Sequence, residues 1–210
     1  MVIDTAFLIT AFVTMFVVID PIGLAPLFVA LTQGTNDAVR RRIAFRATAI
    51  AMIILLAFAA FGEALLGFVG ISMPAFRVAG GVLLFLTALD MLFERRTKRR
   101  ENQSEEDDSD DPSVFPLAIP LIAGPGSIAS IILLMGQRPG VEGSIMVLSA
   151  TALVMVIVLA FFMMSGLIER ALGKTGITVV TRLLGMLLAA LSVQFVLDGL
   201  TAFGLGMPTG

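Results

Sequence analysis

Apolar positions run almost unbroken through most of the 210-residue chain, and polar residues collect between the runs rather than alternating within them. Crossing ~30 Å of hydrocarbon takes roughly 20 helical residues. The runs predict six spans, 5–31, 43–61, 75–93, 114–135, 143–168 and 177–198. A polar turn ending in Arg40, Arg41 and Arg42 follows the first, and a short Gly-rich segment with Glu63 follows the second. Two spans are interrupted, the first at Asp20-Pro21-Ile22-Gly23 and the fourth at Gly124-Pro125-Gly126. Proline removes a backbone N–H and clashes with the preceding turn, while glycine permits the conformations of a break. Irregular backbone at that depth must be buried in protein or line a cavity. One such break in each half of a chain is a sequence pointer to a transporter's binding site.

Composition places the chain among integral membrane proteins. It is 58% hydrophobic and 14% charged, against ~45–50% apolar for a soluble domain, and its mean hydropathy is +1.00. It has no Cys and no His, which excludes disulfides, thiol catalysis, thiolate or imidazole metal sites and histidine proton relays. Trp and Tyr are also absent, so no ordinary aromatic belt forms, and the 16 Phe are packing or lipid-facing residues. The N-terminus carries Asp4 where a signal peptide would be basic, which predicts a retained first span. The stretch 94–113 opens with five basic residues from Arg95 to Arg100 and turns acidic through Asp111. Such a sequence cannot pack a core and is expected to be a solvated tether; weak divalent-cation binding is its alternative use.

All but Arg77 and Arg138 of the 14 Lys and Arg fall after the first, third and fifth spans. The excess of basic residues puts those connections in the cytoplasm and both termini outside it. A repeat supports a two-part organisation. Glu63 to Ile71 and Glu169 to Ile177 share Glu, Leu, Gly, Gly and Ile in register. Nearby, Arg77 aligns with Arg182, Gly80 with Gly185, Thr87 with Ser192 and Pro21 with Pro125. The expected units are 1–93, a cytoplasmic linker 94–113, and 114–210. With three spans in each, the second copy enters the membrane inverted, and a site is expected near the midplane between them.

The segments DPIGLAP, PLAIPLIAGPGSIAS, FRVAGGVLLFLTALDML and TRLLGMLLAALSVQFVLDGL resemble the MarC/SnatA family of six-span inner-membrane proteins. The resemblance covers nearly the whole chain. It implies transport of small neutral amino acids such as glycine and alanine; the family's older label, multiple antibiotic resistance, implies drug efflux by name alone. Many members carry Asn where this chain has Asp20, and the acidic linker is not part of the family pattern.

The expected fold is all-α, six spans in two inverted repeats with helices 1 and 4 broken. Substrate-binding candidates are Asp20, Pro21, Gly23, Gly124, Pro125, Gly126, Ser127, Thr87 and Ser192. Each break exposes a helix N-terminus, with unpaired N–H groups and about half a positive charge, which suits a carboxylate. The alternative is that the prolines only kink their helices. The hydroxyls of Thr10, Thr14, Ser127 and Ser130 suit either a small polar solute or close helix packing. Asp20, the carboxylate at mid-depth, accepts an ammonium, carries a coupling proton or caps its own half-helix. Asp90 and Asp198 lie near span ends. Arg77 and Arg182 stand at helix starts, which the dipole disfavours, and are expected to form repeat-related ion pairs with Glu63 and Glu169.

The expected function is transport of a small zwitterion coupled to H+ or Na+, in the lipid bilayer of a cytoplasmic membrane, with no catalytic residue, cofactor, metal or nucleic acid. A carrier for cations or other small solutes, or an enzyme acting on lipid, is the alternative. The enzyme lacks the side chains it needs near an interface, and a lone carboxylate makes a poor divalent-ion site. Self-association stays open. Cysteines substituted for Ser104 and Thr209 should label from opposite sides of the membrane, Ser104 only after permeabilisation. Labelling of both in intact cells would overturn the orientation.

Overall fold

The computed structural model describes residues 4–93, 95 and 111–205, without the side chain of Glu169. Most of the charged linker therefore lies outside the described residues, as do both chain ends. All described secondary structure is helical. Helix α1 (Thr5–Ile19) starts at Asp4, whose carboxylate accepts from Phe7 N–H at 3.1 Å. Asp20 separates it from α2 (Pro21–Leu31), which has proline in its first turn, where its missing N–H costs nothing. Asn36 caps the 33-residue α3 (Asp37–Val69). Gly70 ends it in the left-handed region at φ 82, where Ile71 N–H bonds back to Leu66 O at 2.9 Å. Ser72 caps α4 (Met73–Leu92).

After the linker, α5 (Ser113–Ile122) is a π-type helical segment with non-helical Phe115 and Ile119. Then come α6 (Pro125–Gln137), α7 (Val141–Met163), α8 (Ser165–Leu200) and a short wide turn, Thr201–Leu205. Five stretches are long and apolar enough to cross a membrane: Thr5–Leu31, Asp37–Val69, Met73–Leu92, Val141–Met163 and Arg170–Leu205. The pair α5 and α6, bent by 53°, makes a sixth if counted as one span.

Several boundaries differ from the sequence reading, the first being that the polar turn expected to reach Arg42 is already helix from Asp37. The Gly-rich connection expected after residue 61 is helix as far as Val69. Gly62 does not end the helix but lets it approach α6, since a Cβ there would lie 2.5 Å from Ile132 Cγ1. The fifth span, expected to reach residue 168, ends at Met163. Buried Ser165 donates to Phe162 O at 3.0 Å and accepts from Arg40 at 2.6 Å, which ties down that junction. The expected connection at 169–176 is helical apart from a kink at Gly173, φ 59.

The interrupted elements occupy the centre. Of an 18-residue apolar stretch in each, half is buried in Thr5–Leu31 and 44% in α7, against 28% in α3, α4 and Arg170–Leu205. Large apolar side chains such as Phe68, Phe61 and Val141 face outward, as hydrocarbon contact requires. Helix α1 packs on α7 and α3 on α5; α2 packs on α8 and α4 on α6; α2 packs on α7 and α3 on α6. The most extensive contact joins α4 and α8. They run antiparallel, with Gly81 against Ser192 and Val196, Gly185 against Ala88 and Met91, and Gly199 against Pro74 and Val78. Without a hydrophobic drive between helices in lipid, such backbone proximity is a main source of association.

Among the described residues, two ion pairs tie the halves together at element ends. Asp4 pairs with Arg138 after α6, and Asp111, just before α5, pairs with Arg46 of α3. Asp4 is held below its usual pKa first by the Phe7 N–H and then by Arg138, against some desolvation. Asp111 is lowered first by the Ser113 hydroxyl, which donates to it at 2.5 Å, then by the Ser113 N–H and Arg46, again against desolvation.

Gly81→Ala puts a methyl 2.8 Å from the Ser192 carbonyl and should cost about 1–3 kcal/mol. Gly67→Ala meets nothing within 4 Å and should be neutral or stabilising by roughly 0.5–1 kcal/mol. Thermal midpoints in detergent separate the two, and equal midpoints would contradict the close α4–α8 seam. Asp111→Asn tests the second ion pair. A depressed folded pKa stabilises above the unfolded value, and the gain is lost as pH falls through the folded value. The gap from wild type should therefore be at most about 1 kcal/mol and steady from about pH 5 to 7. It should close as pH falls below the ordinary 3.8.

Candidate functional site

Asp20 is the residue on which the first break turns. Pro21 cannot donate to a carbonyl four residues back, so one bond of a continuous helix is lost where α1 ends. Asp20 adopts φ 58, ψ 66, and is the only non-glycine residue with positive φ among those described. Asp is one of the few side chains that tolerate this region. Its N–H bonds to Phe16 O at 2.9 Å, closing α1, while its own carbonyl accepts from Leu24 N–H at 3.0 Å, opening α2. Its carboxylate, 1% exposed, accepts from Gly23 N–H at 3.1 Å. One residue thus serves as C-cap of one helix and N-cap of the next, and Gly23 is required because a Cβ there would collide with the Asp20 carboxylate.

The second break is built differently. The N-cap of α6 is Gly124, which supplies no side-chain acceptor. A Cβ on Gly124 would strike Pro120 O, so the chain can pass there only as glycine. Pro125 opens the helix. Buried Ser127 turns its hydroxyl back on the break, donating to Ile122 O at 2.7 Å and Gly124 O at 3.0 Å. The amides of the first turn are therefore not covered by a capping side chain, whereas α2 carries its own carboxylate. That asymmetry was not legible from two similar Pro-Gly motifs.

The start of α6 abuts the end of α1. Val18, two residues before Asp20, has its Cγ1 3.2 Å from where a Gly126 Cβ would stand, and Leu84 and Thr87 Oγ1 of α4 lie at 3.7 and 3.8 Å. Thr87 is thereby brought to the α6 terminus, its hydroxyl donating to Leu83 O at 3.0 Å. Ser192 is not placed there by its contacts. It is fully buried on the α4–α8 seam, with its hydroxyl on Ala189 O at 2.7 Å and its carbonyl against Gly81.

From Val18 and Gly126 outward, α1 and α6 run antiparallel to the Asp4–Arg138 pair, where Arg138 also sits 6.0 Å from the Phe7 ring centroid. One turn from the Val18–Gly126 contact on each helix stand Thr14 and Ser130. Both are fully buried, and neither hydroxyl has a hydrogen-bond partner among the described residues. Buried hydroxyls are normally satisfied, so this level of the α1–α6 interface has polar capacity in reserve. Thr10, by contrast, spends its hydroxyl on Ala6 O at 3.0 Å.

The ion pairs expected at the helix starts fare otherwise. Arg77 does not pair with Glu63; its guanidinium donates to Gly136 O at 3.4 Å, because α6 ends beside the start of α4, with Met73 against Gly136. Glu63 lines a separate 320 Å³ cavity with Ile132 and Pro139. The Glu169 side chain lies outside the described residues, so its pairing with Arg182 does too. Asp198 accepts from Gln194 at 2.7 Å. Sequence reasoning missed the ion pairs that do form. An acid one residue before an apolar run is an N-cap signal that could have flagged Asp4, but nothing local marks Arg138 as its partner.

A family model described as MarC family integral membrane protein matches residues 5–203. A UPF0056 membrane protein of Archaeoglobus fulgidus is 40% identical over 197 residues, covering 93% of this chain and 92% of that protein. The UPF0056 membrane protein YvbG of Bacillus subtilis is 36% identical over 199 residues, covering 93% and 94%. The UPF0056 inner membrane protein YhgN of Escherichia coli K12 is 33% identical over 193 residues, covering 92% and 95%. No solved structure matches the chain. A helical membrane-spanning body, the two Pro-Gly breaks at its centre and a match along nearly its whole length lead to one conclusion: the chain belongs to the MarC (UPF0056) family of integral membrane proteins.

Proposed function

We propose that the protein is a secondary transporter of small neutral amino acids, bound near the membrane midplane where α6 begins beside the end of α1. The observation that carries this reading is the asymmetry of the two helix starts. The α2 terminus is neutralised by the Asp20 carboxylate, whereas the α6 terminus has no capping side chain. An N-terminus carries about half a positive charge, and a low-dielectric interior strengthens its pull on an anion. The substrate carboxylate sits on the amides of Gly126 and Ser127, and Thr87 Oγ1 beside Gly126 offers lone pairs to the ammonium. The reserve hydroxyls of Thr14 and Ser130 add polar contacts one turn away along the α1–α6 interface.

The same proposal treats spans one to three and four to six as two units of inverted topology. Three of the helix pairings support it, because each has a counterpart under exchange of the units, whereas α1 on α6 and α1 on α8 have none of similar extent. Helix α1 on α7 answers to α5 on α3, α2 on α8 to α6 on α4, and α2 on α7 to α6 on α3. Substrate access then alternates by movement of one unit against the other. Both termini lie outside the cytoplasm, and the membrane is the cytoplasmic one, in line with the printed name of the Escherichia coli relative.

Uptake into proteoliposomes, across a panel of amino acids, divalent cations and drugs and with imposed H+ or Na+ gradients, tests the reading and identifies the coupling ion. Glycine and alanine should be taken up, while methylamine and ethylamine, which lack a carboxylate, should compete at least tenfold less well. Equal competition by glycine and methylamine would remove the helix-terminus site. Asp20 acts here as a cap, so Asp20→Asn, which keeps both an acceptor and tolerance of positive φ, should retain uptake within about threefold. Asp20→Ala should lose about 1–2 kcal/mol of stability through the lost cap, and uptake with it. An Asn variant that folds but does not transport would show that the charge of Asp20, as ammonium acceptor or proton carrier, is what matters.

A further inference from the structure

A second polar feature lies away from the breaks, where the start of α3 meets the junction of α7 and α8. A cavity of about 580 Å³ opens there, lined by Arg40, Arg41 and Arg170 with Asp37, over a floor of Phe162. Among the described residues, three arginines and one carboxylate line it, so this lining has an excess of positive charge. Arg40 is held in place: it donates to Ser165 Oγ at 2.6 Å and lies 5.4 Å from the Phe28 ring centroid, and Phe28 stacks on Phe162 at 4.4 Å. Among the described residues, neither Arg41 nor Arg170 has an ion-pair partner. The rim is apolar, with Met164 and Leu167 more than half exposed.

We propose that this cavity binds the headgroup of an anionic phospholipid. The phosphodiester lies between Arg41 and Arg170 with Arg40 beneath it, and an acyl chain runs over Met164 and Leu167. The placement fits that occupant on three counts. Guanidinium groups match phosphate oxygens with paired N–H donors. Arg40 is already ordered, so little side-chain freedom is lost when it binds. The apolar rim beside a basic cavity at the ends of membrane-spanning helices joins the two chemistries a phospholipid carries, as basic pockets between transmembrane helices do for anionic headgroups. A soluble phosphate ester would use the arginines but leave Met164 and Leu167 without a partner. The inference is independent of the transport reading, because neither break contributes to the cavity.

The test uses the full-length protein purified in detergent. Its thermal midpoint is titrated with phosphatidylglycerol, phosphatidylcholine and inorganic phosphate, and native mass spectrometry counts the lipids retained from mixed nanodiscs. Phosphatidylglycerol should raise the midpoint and be retained in preference to phosphatidylcholine. The double variant Arg41→Gln/Arg170→Gln, at two exposed positions, should need about 25-fold more phosphatidylglycerol, at roughly fivefold per arginine. Arg41→Lys/Arg170→Lys, which keeps the charge but not the paired donors, should recover only part of that loss. Arg95→Gln, at an exposed arginine outside the cavity, should change nothing. An equal shift with inorganic phosphate would make this a free oxyanion site, and an equal shift with phosphatidylcholine would deny headgroup selectivity. A loss with Arg95→Gln as large as with the double variant would reduce the effect to general surface charge. Each of these overturns the proposal, as would an unchanged lipid count in the double variant.

Discussion

Hydrocarbon offers no partner to a bare peptide group, and this structure is arranged around the two places where its helices leave such groups without their usual bonds. Pro21 and Pro125 remove N–H donors in the interior of apolar segments, where each unsatisfied group costs several kcal/mol. Two consequences follow in the structure. The first interrupted segment is drawn to the centre together with α7, each about half buried over its apolar stretch, and α3, α4 and α8 are more exposed. The freed groups are then satisfied locally, by Asp20 at the first break and by the Ser127 hydroxyl at the second.

These two repairs differ in sign, and the difference gives the centre a direction. At Asp20 an anionic side chain accepts from the start of α2, so the positive end of that helix is answered within the protein. At Gly124 a hydroxyl donates to the carbonyls before the break, and the positive end of α6 is not answered by a side chain. Close packing keeps this arrangement rigid. Val18 against Gly126 fixes the two helices where they meet, and Asp4 with Arg138 fixes them at the far end. The pairing of Asp111 with Arg46 holds α5 to α3 in a comparable way, which leaves one cross-link between the halves at the head of each interrupted segment.

The periphery follows a different rule. Between α4 and α8 the stabilising contact is backbone against backbone, through Gly81, Gly185 and Gly199, since lipid tails are as apolar as the side chains that would otherwise drive association. Where α3, α7 and α8 converge the packing instead opens into a basic cavity, and the same Ser165 that ends α7 orients Arg40 within it. A helix junction and a charged recess are thus set by one buried hydroxyl.

Much was determined by the sequence alone. Long apolar runs made the chain a membrane protein, because only helices satisfy their own backbone there. Proline with glycine at 21–23 and 124–126 marked where α1 gives way to α2 at Asp20 and where α6 starts after Gly124, although Pro26, inside α2, ends no helix. The αL conformation and capping role of Asp20 are likewise local, and Asx capping was one of the roles its residue type allowed. The tertiary structure decided what depends on neighbours distant in sequence. Gly62 reads as a helix end but serves as a point of approach to Ile132, a choice only α6 could make. Arg77 turned to the Gly136 carbonyl rather than to Glu63, because the end of α6 is nearer than its own repeat-mate's pattern suggested. Thr87 reached the α6 terminus while its aligned counterpart Ser192 was spent on the α4–α8 seam. Two like motifs in one chain carry the same local chemistry, and which of them keeps an open helix end is settled by the residues that fold back on each.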